Sequence, residues 1–248
     1  PSMGKTALGL NMAKNAAVDH GKSVLFFSME MSTAQIAQRL VCSHGHGIDA
    51  QRLRRRMLSP EEQRLLLDAC SEFENAPLFL DDTPGMTAME LRSKARRAAQ
   101  RHKIDAVYVD YLQLMHAPRA ENRQVEISSI SRGLKALGRE LNIPIIALAQ
   151  LNRIPEGRRG QRPLLSALPE AGDVEQDADV ILLIHREEYY HPEKDEVKGL
   201  AEVIIAKQRN GPTGTVQLQF NKRFTRFSNL APGAEMTYQP AGQDVGPF

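Results

Sequence analysis

The chain has 248 residues, of which 42% are hydrophobic and 25% charged, with a formal net charge of +2 at pH 7. This is an ordinary globular composition, with enough chain to bury a sizeable core. So small a net charge says little about a nucleic-acid partner. The longest apolar runs, such as VILLI at 180–184, are far too short to cross a bilayer, so no membrane partner is expected.

In chain order, the opening PSMGKT brings Gly4-Lys5-Thr6, the ending of a phosphate-binding loop G-x-x-x-x-G-K-[ST] whose first glycine would fall before residue 1. Helical spacing follows over 6–20 and stops at Gly21, and SVLFFS at 23–28 reads as a buried parallel strand. Helices are predicted over 33–43 and 60–74, the second opened by Ser59-Pro60 as cap and first turn. LFLDD is then a strand, 88–102 a helix, AVYVD a strand, 125–141 a helix and PIIALAQ a strand. DVILLIH, AEVIIAK and TVQLQF follow without intervening helices, with RFTRFS a candidate last strand. The alternation predicts an α/β fold: a mostly parallel sheet with helices on both faces and antiparallel strands at the C-terminal edge. Residues 1–230 are expected to form the domain and 231–248, rich in Pro, Gly and Gln, a loose tail. Cys42 and Cys70 lack metal-ligand spacing and read as buried thiols; His44 and His46 read as part of a turn.

A phosphate loop works because backbone N–H groups and the dipole at a helix N-terminus surround the anion. Lys5 then meets the outer phosphates and the Thr6 hydroxyl a metal ion. The metal also needs a carboxylate at the tip of a buried strand, and Asp110, ending AVYVD, is the candidate. Hydrolysis needs a base. Tyr111, not glutamate, follows Asp110, so the candidate is Glu30 in VLFFSMEMS, which as a residue by itself equally suits capping the helix that starts near Ser32. Gln150, at the end of IIALAQ, suits sensing a γ-phosphate, or simply ends a strand. Lys207 and Arg209 in AKQRNGPTG suit either charge stabilisation on a transferring phosphoryl group or an exposed cationic turn. Of three arginine clusters, that with Arg153, Arg158, Arg159 and Arg162 lies in a Gly/Pro-containing loop, where binding residues concentrate.

SMGKT, FFSMEMS, VDYLQLM, IALAQLNR and EQDADVILLIHR…AKQRNGPTGTV together resemble the C-terminal motor domain of the bacterial replicative DNA helicases, the DnaB family, from residue 1 to about 229. The resemblance implies a RecA-like P-loop NTPase core in a homohexameric ring around single-stranded DNA, using ATP and Mg²⁺ between subunits. It further implies primase and a helicase loader as partners and a cytoplasmic location at replication forks. Carried onto this chain, Ser2, Gly4, Lys5 and Thr6 bind phosphates with Arg39 nearby, Thr6 and Asp110 serve Mg²⁺, Glu30 is the catalytic glutamate and Gln150 the γ-phosphate sensor. Lys207 and Arg209 act on the neighbouring subunit's ATP.

Loops 117–124, with Arg119, Asn122 and Arg123, and 153–172, with Arg158, Arg159, Arg162, Glu170 and Gly172, are implied to line the channel. Neither contains an aromatic residue, so they are expected to track phosphates rather than stack bases, with salt-sensitive binding. Here the chain departs from the family. SALPEAG at 166–172 stands where a turn like S-D-L-R-E-S-G is usual, and Pro169 replaces an arginine. The family's N-terminal helical domain, linker helix and strand before the phosphate loop are missing, which suggests a partial chain. The competing readings are a RecA-like recombination or repair ATPase and a non-hydrolysing DNA-binding assembly scaffold.

Overall fold

The computed structural model describes residues 3–44, 47–116, 122–151, 162–168 and 171–230. The chain folds as two compact units. One comprises Gly4–Gln150 with Asn221–Arg226, the other the described residues of Pro1–Met3, Leu151–Phe220 and Phe227–Phe248.

The first unit contains α1 (Lys5–Lys14, continued by a π-helical turn at Asn15–Asp19), β1 (Val24–Ser28), α2 (Thr33–His44), α3 (Ala50–Arg54), α4 (Pro60–Asn75) and β2 (Leu78–Asp81). It continues through α5 (Ala88–His102), β3 (Ala106–Asp110), α6 (Arg123–Leu141) and β4 (Ile145–Leu148). The strands form a parallel sheet in the order β2-β1-β3-β4. Every residue of the central strands β1 and β3 is buried, whereas β2 is only partly buried. This is what unbroken apolar runs such as VLFF and AVYV dictate, since helices cover both faces.

Alternate residues feed two cores. Leu25, Phe27, Val107 and Val109 pack with Leu91, Ala95, Ile130, Leu134 and Leu137 of α5 and α6. Val24, Phe26, Ala106 and Tyr108 pack with Leu10, Ala13, Ile36 and Leu40 of α1 and α2. Full burial of one such side chain stabilises the fold by about 1.5–3 kcal/mol. On this second face α1 comes close to β4 because Gly9 has no side chain; a Cβ there would stand 2.9 Å from Leu148 Cδ1.

A smaller cluster, Val41, Cys42, Ile48 and Ala69, holds α3 and α4 to α2. Only Cys42 is buried; Cys70, expected inside, is exposed. It follows Ala69, the α4 residue buried in the cluster, and one further residue turns it outward. Both cysteines are free thiols. His44 ends α2 and pairs with Glu72 at 2.7 Å, while His46 lies outside the described residues.

The second unit contains α7 (Ala171–Asp177), β5 (Val180–His185), β6 (Leu200–Gln208), β7 (Gly214–Asn221) and β8 (Arg226–Asn229), with the strands in that order in one sheet. β5–β6 and β6–β7 are antiparallel. The parallel and antiparallel parts read from the sequence thus form two hydrogen-bonded ladders. β5 alternates, with Ile181 and Leu183 in a core with Leu168. Segment 231–248 lies outside the described residues, and no helix among those described is long and apolar enough to cross a membrane.

Candidate nucleotide site

Gly4 precedes α1 with φ 98°, a left-handed conformation that favours glycine, and lets the helix begin at Lys5. The first two side chains of α1 converge on the tip of β3. Lys5 Nζ is 3.0 Å from Asp110 Oδ1, and the Thr6 hydroxyl donates to Asp110 Oδ2 at 2.7 Å. Asp110 is completely buried, and its Oδ1 accepts no well-directed hydrogen bond. The Lys5 ammonium also lies 3.8 Å from the centroid of the Tyr111 ring. Burial lowers the Lys5 pKa below the ordinary lysine range, while Asp110, and beyond it Glu30, push it back up. A buried carboxylate held by an ammonium and a hydroxyl at a helix N-terminus is a ready exchange site for a metal–phosphate complex.

Glu30 sits in the turn after β1. The Ser28 hydroxyl closes that turn, donating to Met31 O at 2.8 Å and accepting from Met31 N at 3.1 Å. Met29 N donates to Asp110 O at 2.8 Å, which ties the turn to the tip of β3. The capping alternative for Glu30 is not what the fold uses. Asp82 accepts from Thr33 N at 2.8 Å, and Ser32 and Gln35 bond reciprocally, so Glu30 is exposed and makes no hydrogen bond among the described residues. Arg39, on α2, is half-buried; burial and then Arg54 lower its pKa, and it feels the charges of Asp110 and Glu30. Gln150, two residues past β4, is half-buried. The first unit thus carries Gly4, Lys5, Thr6, Glu30, Arg39, Asp110 and Gln150. Ser2 lies outside the described residues.

In the second unit Lys207 and Arg209 are engaged with the C-terminal end of α7. Lys207 Nζ donates to Glu175 O and, at 2.8 Å, to Ala178 O. Arg209 donates to Gln176 O at 3.3 Å and lies 3.5 Å from Asp179. Cations there meet the unsatisfied carbonyls of the last turn.

Of the DNA candidates, Arg119, Arg158, Arg159 and Glu170 lie outside the described residues. Arg162 makes a double hydrogen bond to Glu202, at 2.9 and 2.6 Å. Asn122 caps α6 through Val125 N at 2.9 Å, and Arg123 pairs with Glu126 and donates to Gln113 O at 2.6 Å. Gly172 is exposed within α7, with open space where a Cβ would stand.

Sequence reasoning assigned no role to Ser28, Tyr111 or Gln113. The only signal was their place inside the quoted segments; what they touch depends on the fold. Comparison with known proteins decides the family. The DnaB-like helicase C-terminal domain family matches the chain over residues 1–229. The chain belongs to that family.

This DnaB-like domain is 44% identical to the replicative DNA helicase DnaB of Geobacillus stearothermophilus over 98% of the chain, and 48% identical to that of Pasteurella multocida over 93%. It spans about half the length of these curated relatives, 53% and 50% respectively. Among solved structures, it matches a DnaB-like replicative helicase described with its interactions with primase, and a second structure described as an ATPase domain. Each matches with a TM-score of 0.87 and 41% identity over 93% of this chain, covering 56% and 82% of those chains. The fold is the RecA-like one of these ATPase domains.

Proposed function

We propose that this domain is the ATP-driven motor of a replicative DNA helicase, assembled as a homohexameric ring that translocates on single-stranded DNA and unwinds duplex at the fork, with ATP hydrolysed between subunits. The observation that carries the proposal is the convergence of Lys5 and Thr6 on the buried Asp110, in a chain of this family. In this reading residues 1–230 are the motor and 231–248 a tail, primase and a loader are partners, and the protein works in the cytoplasm.

Asp110 Oδ1, buried and short of hydrogen bonds, fits a Mg²⁺ site that Thr6 and Asp110 would serve. Among the described residues no three His, Cys, Asp or Glu side chains converge, so phosphate and water would complete the coordination. When bound, Mg²⁺ would neutralise charge on the outer phosphates. Lys5 and the first N–H groups of α1 would bind and orient the β- and γ-phosphates, with Ser2, Gly4 and Arg39 around them. Glu30, held at the rim by the Ser28 turn, would take a proton from the attacking water, and Gln150 would report the γ-phosphate. Lys207 and Arg209 would act on the neighbour's ATP, which requires them to leave the carbonyls of α7.

DNA contact would rest first on Arg158 and Arg159, with Arg119, Asn122, Arg123, Glu170 and Gly172 in support. Arg162 enters this group only by giving up Glu202.

The test is DNA-stimulated ATP hydrolysis and forked-duplex unwinding with Glu30→Gln. Turnover should fall at least about 100-fold, the usual share of a general base, while ADP affinity is retained. Unchanged turnover refutes the assignment of the base, and wild-type protein that neither hydrolyses ATP nor unwinds DNA refutes the function.

A further inference from the structure

We infer that Gln113 is a positioning residue for Gln150: its side-chain amide grips the Gln150 backbone on both sides and sets where the γ-phosphate sensor stands. The inference rests on the reading of Gln150 as that sensor. It begins from where the sheet stops. The β3–β4 register ends at Asp110↔Leu148. Beyond it the β3 chain turns away through Tyr111 into a 3-10 turn at Leu112–Leu114. Gln150, two residues past Leu148, therefore has no rung of that ladder for its N–H or its C=O, and half-buried backbone groups without partners are costly.

Gln113 supplies both. Its Oε1 accepts from Gln150 N at 3.2 Å, and its Nε2 donates to Gln150 O at 2.8 Å. A primary amide carries the same donor and acceptor as a peptide, so one side chain stands in for the missing strand. The grip is anchored in turn, because Gln113 O accepts from Arg123 Nη2 at 2.6 Å and Arg123 pairs with Glu126 on α6. A glutamine serves here and a glutamate does not: a carboxylate accepts from the N–H but cannot donate to the carbonyl.

The test uses Gln113→Leu, Gln113→Glu, Gln150→Ala and the Gln113→Leu/Gln150→Ala double variant, with ATP turnover and the affinities for ADP and a non-hydrolysable ATP analogue as readouts. Gln113→Leu should lower kcat about tenfold, the effect of losing a pair of neutral hydrogen bonds. The ADP affinity should stay within about twofold, while the affinity for the ATP analogue falls so that its preference over ADP is lost. Gln113→Glu should show the same pattern, and it decides the matter if the leucine variant does not fold. The double variant should be no slower than Gln150→Ala alone, since both act through one group.

If Gln150→Ala slows turnover but both Gln113 variants turn over like wild type, the inference is overturned and the sensor reading stands. A fall in ADP affinity equal to the fall in kcat also overturns it, because that is the mark of a merely structural role. Normal turnover of Gln150→Ala removes the sensor reading, and the inference with it.

Discussion

Lys5 is held in two ways that use its charge differently. Asp110 takes it as an ion pair at 3.0 Å, whereas the face of Tyr111 takes it at 3.8 Å and uses up none of its N–H donors. In the proposed function an arriving phosphate would compete with the first contact and leave the second in place. Tyr111→Leu keeps an apolar wall but removes the ring, and should weaken ADP binding about two- to fivefold, the equivalent of about 0.5–1 kcal/mol for a cation–π contact. Tyr111→Phe should bind ADP like wild type in the same calorimetric titration.

At this scale the placement of the candidate residues was legible wherever one sits at the end of a local pattern. Lys5 and Thr6 open a helix, Asp110 ends an apolar run, and Glu30 and Gln150 follow such runs. Gln113 and Tyr111 were not legible, because their partners are 37 and 106 residues away in the chain and only the fold brings them together. Cys70 was misjudged for the opposite reason: helical spacing was recognised, but not which face of α4 lies inward.

Among the elements, α4 was predicted with its boundary because its start is written locally. Ser59 accepts from Glu62 N at 3.2 Å, Glu62 returns the bond to Ser59 N at 2.7 Å, and Pro60 opens the first turn. Ser59→Ala should cost about 1 kcal/mol, read as a lower urea midpoint with an unchanged slope. Glutamate-bound capping of the same kind opens α5 through Thr87 and Glu90. By contrast α3, five residues rich in arginine, has no apolar period to betray it. It depends on Asp49, which accepts from Gln51 N and Arg52 N and is itself held by Arg223, 174 residues away. β1 and β3 needed no such help, since an unbroken apolar run has only the middle of a covered sheet to occupy.

At the scale of the whole molecule, each unit carries its own response to conditions. In the antiparallel unit His185 is buried at the end of β5. Burial lowers its pKa below the ordinary 6.5, against Glu202 and Glu187 and together with Arg162. The unfolded chain therefore binds this proton at higher pH than the folded one. The stability His185 contributes is complete above about pH 6.5 and is lost as pH falls through that value toward the folded pKa. Unfolding by urea at about pH 7.5 and about pH 5.5 should show the loss, and His185→Gln should flatten it. The parallel unit carries the candidate phosphate site, and there α1 is closely seated on β4. A Cβ on Gly9 would stand inside contact distance of the Leu148 side chain, so any side chain there would have to displace that leucine's methyl or lift the helix bearing Lys5 and Thr6 from the strand that leads to Gln150. The absent side chain of Gly9 thus sets how closely the helix that opens the candidate phosphate site can seat on the strand that leads to Gln150.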